Sequence, residues 1–288
     1  MAPALDPGYW SDPDKHAWEG LWMNHPAVRE RINRRVTGDP FLWPIQWLPS
    51  VVPGRTPFRR AVSVGCGLGN FERSLVVHGI VRTVVGIDLG LEVLGEARRR
   101  AAEAGMSDRI LYAAAEARSF FAAARGLDAV FFHESLHHFD RVSELLGLVR
   151  GALVDRGIVY LDEYVGPSRD EWTWRDQVQW NLVYRRLPAR VRRTHIIRKP
   201  VTDLDPTEAI ASSTILPAVA EHFGVVSRRG YGGNLLSTIY PSLLRPDQPG
   251  GPPAELYDSV IGSLLDREDR LLARGRASFH EVVVAEAA

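Results

Sequence analysis

The stretch Ala61-Val62-Ser63-Val64-Gly65-Cys66-Gly67-Leu68-Gly69-Asn70-Phe71-Glu72 constrains this chain more than any other. It reads as a short apolar strand running into a glycine turn that opens a helix. A backbone bending sharply against a ligand needs residues without Cβ, and Gly65, Gly67 and Gly69 supply three. The helix that follows aims its free N–H groups and positive dipole end at whatever lies over the turn. Downstream, Thr83-Val84-Val85-Gly86-Ile87-Asp88 reads as a second strand ending in an acid, placed to accept the hydroxyls of a ribose. Dinucleotide sites call for G-x-G-x-x-G; here the pattern is G-x-G-x-G, with Asn70 where the last glycine would fall, which disfavours a nicotinamide oxidoreductase.

From Ala61 to about Asp162 strands and helices alternate, the pattern of a parallel sheet covered on both faces. Strands are expected at 61–64, 83–87, 109–112, 128–132 and 157–162, with a turn at Asp155-Arg156 before the fifth. Helices are expected at 69–78, 90–104, 117–124 and 140–153. Before this core, the apolar spacing of Trp18, Leu21, Trp22, Val28 and Ile32 predicts a helix from about Asp14 to Arg35, followed by an aromatic, Pro-punctuated segment. After it come an aromatic and arginine-rich insertion at about 165–206, a helix from Pro206 to His222 and a sixth strand at 223–230. Gly230 to Asn234 reads as a flexible loop bordering the pocket. An amphipathic helix from Ala254 to Arg274 and a last strand at His280–Ala285 close the chain.

Lys+Arg and Asp+Glu both total 35, and a formal net charge of zero argues against a dedicated nucleic-acid binder. The lone cysteine, Cys66, permits no intramolecular disulfide and reads as a small packing residue in the turn rather than a reactive thiol. No signal peptide and no uninterrupted apolar run of membrane-spanning length is visible, so a cytoplasmic protein without membrane contact is expected.

The glycine turn, Glu72 and the acid Asp88 together resemble the first motif and second-strand acid of the class I S-adenosylmethionine-dependent methyltransferases. The resemblance runs from about residue 60 to the C-terminus. It implies an α/β, Rossmann-like methyltransferase fold: a seven-stranded, mostly parallel sheet whose last strand is antiparallel, with a helical lid insertion. The expected organisation is an N-terminal helical and aromatic cap over 1–56 and a cofactor-binding domain over 57–288, the insertion at 165–206 covering the acceptor. S-adenosyl-L-methionine would lie against Gly65, Cys66, Gly67, Gly69, Asp88, Leu89, Glu116, Ala117 and His133. Glu116 stands where the family often carries an acid for the adenine amino group, although an acid opening a helix is also favoured by the dipole alone.

The fourth strand ends in Phe132-His133-Glu134-Ser135-Leu136-His137-His138-Phe139, similar to the family's fourth motif. One of His137, His138 and His133, in that order of preference, is the expected general base; the competing reading makes them capping and packing residues. His133-Glu134-x-x-His137 is literally a zinc-protease pattern, but it demands one helix face and here begins at the end of a buried strand, so no metal is expected. Tyr164, Trp172, Tyr184 and His195 are the candidate substrate contacts. The expected activity is O- or N-methylation of a small molecule, with a homodimer admitted as an assembly. The alternative enzyme reading is intramolecular ring closure of the cofactor, releasing methylthioadenosine. A domain that binds the cofactor without turnover is the reading outside enzymology.

Overall fold

The computed structural model describes residues 21–198, 205 and 207–287. The described residues begin with a short 3-10 turn, Trp22–Asn24, and the helices α1 (Pro26–Thr37) and α2 (Pro44–Val51). The alternating core follows: β1 (Ala61–Val64), α3 (Asn70–Val77), β2 (Val84–Asp88), α4 (Leu91–Glu103), β3 (Ile110–Ala114), α5 (Ala117–Ala123), β4 (Leu127–His133), α6 (Val142–Ala152) and β5 (Leu153–Tyr164). The remainder comprises α7 (Trp174–Tyr184), α8 (Ile215–His222), β6 (Gly224–Gly232), α9 (Leu236–Ile239), α10 (Ala254–Ala273) and β7 (His280–Glu286).

The seven strands form one sheet in the order β3-β2-β1-β4-β5-β7-β6. Strands β1 to β5 run parallel, and β7 is antiparallel to both β5 and β6. Strand alternation sorts the interior into two layers. Ala61, Val84, Phe131, Tyr160 and Val282 point to the layer packed by α1–α4, α7, α9 and α10. Val62, Ile87, Phe132, Leu161 and Val283 point to the layer packed by α5, α6 and α8. The chain reverses direction across the sheet between β1 and β4, so a crevice opens beyond their C-terminal ends, where ligands bind in open α/β sheets.

Several local expectations differ from the structure. Residues 1–20, including Trp18 and the predicted start of the first helix, lie outside the described residues; α1 begins at Pro26, whose fixed φ suits a first helical position. Pro206, the predicted start of the next helix, lies outside the described residues, and over 207–222 the predicted α-helix is confined to α8. Ahead of it, Thr207 N–H and Oγ1 both bond to Asp205 Oδ1, a local turn that competes with helix formation. Asp155-Arg156 is not a turn before a strand but a kink within the long β5, where Arg156 adopts φ 58° and the pairing with β4 shifts register. The Gly230–Asn234 loop is in large part strand: β6 continues to Gly232, and Tyr231 is fully buried.

The N-terminal segment and the insertion are not separate layers. Trp22, Val28, Ile32, Ile45 and Leu48 share one core with Trp172, Trp180 and Tyr184. Trp172 packs edge-on against Trp180 and Phe279, and the Tyr184 hydroxyl donates to the Ser242 carbonyl at 2.7 Å. Trp172, Trp180 and Tyr184 of the insertion are therefore spent on packing, as expected of large apolar side chains that leave water, while Trp174 is exposed. Among the described residues no helix is long and apolar enough to cross a membrane.

Candidate functional site

The glycine turn is built by left-handed backbone. Gly65, Gly67 and Gly69 have φ of 67°, 49° and 72°, a region that a Cβ makes costly. Gly69 caps α3, and a Cβ there would run into the Tyr112 hydroxyl. Asp88, at the end of β2, holds the turn from the side. Its Oδ2 accepts the Gly67 N–H at 2.9 Å, and its Oδ1 accepts those of Leu89 and Gly90 at 2.7 and 3.0 Å. The same carboxylate thus ties two loops together while facing the crevice.

Over the turn lies a cavity of about 380 Å³. Gly65, Cys66, Gly67, Asp88, Leu89, Glu116, Ala117 and His133 all line it, whereas Gly69 sits behind the turn. Glu116 carboxylate oxygens cap α5 by accepting the N–H groups of Arg118 and Ser119 at 3.0 and 2.7 Å. Burial raises its pKa, but these donors outweigh it and hold the acid below its usual range. The Cys66 thiol is pushed well up by burial, so it is a packing group and not a nucleophile. Glu72, one turn into α3, also lines the cavity yet is fully buried, and neither carboxylate oxygen finds a hydrogen-bond partner of ordinary geometry. Burial lifts it to about 7, offset in part by the Ser63 hydroxyl.

At its other end the cavity meets β4 and β5. Their parallel register pairs Phe131 with Tyr160 and His133 with Asp162, which puts these four side chains on the crevice face. His133 stacks on Phe71, ring centroids 4.4 Å apart at 17°, and its Nε2 lies 4.0 Å from Asp162 Oδ2. Tyr231 donates to the other oxygen of Asp162 at 2.7 Å. Burial raises the Asp162 pKa against the pull of His133. The far wall comes from the N-terminal segment: Asn24, Arg29, Trp43, Pro44 and Ile45. Arg29 lies 4.3 Å over the Trp43 ring, and its pKa is lowered by burial, with the Asp162 charge opposing. Arg31, about 200° further round the same helix, pairs instead with buried Glu268 of α10 and so anchors α1 in place.

The turn after β4 separates the three histidines. Glu163 is wholly buried and accepts the N–H groups of Ser135 and Leu136 at 2.7 and 2.8 Å, plus His137 Nδ1–H at 2.8 Å. Burial pulls the His137 pKa down, but the bond to Glu163 and the charge of Glu208 raise it above its ordinary value. An imidazolium locked this way is a poor base, and His137 does not line the cavity. That reverses the expected order of preference: His133 and His138 reach the cavity wall, and His138 is held low in pKa by burial and by the neighbouring His137 charge. The zinc-protease spacing also fails geometrically, since His133 ends a strand while His137 lies in a 3-10 turn.

Of the four expected substrate contacts none lines the cavity. Trp172 and Tyr184 are core, Tyr164 donates to the Pro167 carbonyl, and His195 is exposed. The sequence reading missed Arg29, Trp43, Tyr160 and Asp162 as cavity residues. Only the last two carried a signal: they alternate along the end of β5, opposite Phe131 and His133.

Residues 62–161, from β1 to β5, match the family model described as "Methyltransferase domain". Among solved structures, a protein from Galdieria sulphuraria assigned as a sarcosine dimethylglycine methyltransferase aligns with TM-score 0.54 and 11% identity over 85% of each chain. A geranyl diphosphate methyltransferase in complex with S-adenosylmethionine aligns with TM-score 0.54 and 14% identity, over 85% of this chain and 84% of that one. Phosphoethanolamine N-methyltransferase 2 of Haemonchus contortus gives TM-score 0.50 and 16% identity over 91% of this chain and 56% of that one. At such identities these likenesses establish the fold. The matched methyltransferase domain spans the glycine turn, the second-strand acid and the turn after β4, and the chain shares its fold with these methyltransferases.

Proposed function

We propose that the protein methylates an oxygen or nitrogen of a small molecule seated against Arg29, His133, Tyr160 and Asp162. The observation that carries this reading is the continuity of one cavity from the glycine turn to those residues. Its size falls in the range of small-molecule sites. The residues at the turn fit the cofactor: Asp88 faces the ribose position, Glu116 the adenine position, and the orphaned carboxylate of Glu72 suits the cofactor's ammonium group.

S-adenosylmethionine supplies a methyl group already activated by the sulfonium, so the protein has mainly to align the acceptor. Phe71 holds the His133 ring flat against the cavity wall, and Asp162 stands beside it to stabilise the imidazolium that forms when the acceptor's proton arrives. The Arg29 guanidinium suits an anionic group on the acceptor.

The test is turnover against an acceptor panel sorted by hydroxyl, amine and carboxylate content, with the sulfur product read by mass. S-adenosylhomocysteine is expected. Methylthioadenosine formed without an acceptor would overturn methyl transfer in favour of ring closure. His133→Ala should lower kcat by about 10²–10⁴ at nearly unchanged cofactor affinity. A variant with normal turnover would remove the base from this reading.

A further inference from the structure

Outside the steps described above stands a cluster that the proposed methyl transfer leaves unused. His137 and His138 of the turn after β4 and Glu208 of the loop before α8 bring one ligand atom each to within 4.8 Å of one another. Glu208 Oε2 lies 3.9 Å from His137 Nε2 and 4.0 Å from His138 Nε2. These separations are too long for hydrogen bonds and short enough for one ion to bridge.

The groups behind these atoms are arranged as they are behind metal ligands. His137 gives Nδ1–H to the buried carboxylate of Glu163 at 2.8 Å, which turns Nε2 toward Glu208, and the incoming ion displaces the proton that Nε2 carries in its absence. Thr207 Oγ1 commits its hydrogen to Asp205 Oδ1 at 2.7 Å, and so can only accept from His138 Nδ1 at 3.1 Å. That bond fixes the tautomer in which Nε2 of His138 carries the lone pair. A carboxylate or hydroxyl on the far nitrogen of each imidazole is the usual outer support of a metal-bound histidine. The loop is docked as well, the Ile210 N–H donating to the His137 carbonyl at 3.2 Å.

We infer that His137, His138 and Glu208 form a binding site for a divalent transition-metal ion of the zinc class. Two imidazoles and one carboxylate suit such an ion better than magnesium or calcium. Tetrahedral bonds of about 2.0–2.2 Å need ligand atoms roughly 3.4 Å apart, so on binding Glu208 moves inward by about half an ångström and the two imidazole nitrogens, which lie within 4.8 Å of each other, close up as well. The Glu208 side chain is 40% exposed and free to do so. Three protein ligands leave a coordination position open for water or a substrate oxygen. His138 also lines the cavity, so the ion stands at the edge of the acceptor space.

The test uses the full chain stripped with a chelator, in the absence of S-adenosylmethionine, so that its outcome is independent of the methyl-transfer reading. Zn²⁺ is titrated in competition with a chromophoric chelator, and Co²⁺ is added separately as a spectroscopic probe. One Zn²⁺ per chain, a visible Co²⁺ absorption and a raised melting temperature are expected. Glu208→Ala and His138→Asn should each weaken Zn²⁺ at least tenfold, while His195→Ala, a change to an exposed histidine outside the cluster, should not. Glu208→Gln serves where the alanine variant fails to fold. Absence of stoichiometric binding, or unchanged affinity in the Glu208 and His138 variants, would overturn the site.

Discussion

Glu72→Gln separates the stability of the empty protein from its affinity for cofactor. In the structure this carboxyl is fully buried, has no ordinary hydrogen bond and is lifted from 4.5 to about 7. Its surroundings are Ser63 on β1, Asp88 on β2 and Arg73 on its own helix; the acid raises its pKa, and the hydroxyl and the arginine lower it. A folded pKa above the unfolded one means that the folded protein holds the proton longer. Stability is then greatest below pH 4.5, falls as pH rises between 4.5 and about 7, and levels off above. A shift of this size corresponds to roughly 3 kcal/mol. Glutamine mimics the protonated acid and never pays this cost, so the empty variant should exceed wild type by up to roughly 3 kcal/mol at pH 8 and by almost nothing at pH 4.5. At roughly 2 °C per kcal/mol for a chain of this size, melting temperatures should diverge by about 5 °C across that range. Cofactor binding should respond in the opposite sense. A cationic group placed against Glu72 favours the carboxylate, so wild-type affinity weakens as pH falls below 7, and Glu72→Gln binds at least tenfold more weakly at pH 8. Paired melting curves without ligand and calorimetric titrations with S-adenosylmethionine measure both. A melting-temperature difference that does not change with pH would refute the buried-acid argument, and undiminished affinity in the variant would refute the ammonium contact.

Asp88→Ala should abolish measurable cofactor binding and also lower stability by about 2–4 kcal/mol, because three backbone N–H groups lose a charged acceptor; calorimetry and denaturant melts read the two effects separately. Gly69→Ala should destabilise by about 1–3 kcal/mol through its left-handed backbone and the Tyr112 ring, and a Tyr112→Ala partner change should recover the steric part in a double-mutant cycle. Glu163→Gln removes the anion that holds His137 charged. Since that histidine's pKa is raised on folding, the wild-type advantage should be complete below pH 6.5 and fade as pH rises into the alkaline range, as measured by melts of both proteins.

The order of strands, the glycine turn and the acid after β2 were legible in the chain because each rests on local rules. Alternating apolar runs specify strands, positive φ requires glycine, and a strand's end carries its last side chain into the crevice. The observed strands lie within a few residues of those expectations, and so does the antiparallel β7 between β5 and β6 that the family resemblance implied. The site's outer wall was not legible. Arg29 and Trp43 reach the cavity because contacts with distant segments fix the position of α1: Val28 and Ile32 pack in the main core, and Arg31 pairs with Glu268 more than two hundred residues away. Likewise Trp172 and Tyr184 have the composition of a binding lid, but Phe279 and Ser242 give them packing and hydrogen-bond partners inside the core. The three histidines show the division most clearly. From the sequence alone the preferred base is His137, then His138, then His133. The buried Glu163 then charged His137, the register of β4 against β5 set His133 beside Asp162, and the loop before α8 carried Glu208 to His138. Sequence determines which groups are present and how each short segment bends. Which charges end up within a few ångströms in a water-poor interior depends on contacts between distant segments, and those distances decide pKa and role.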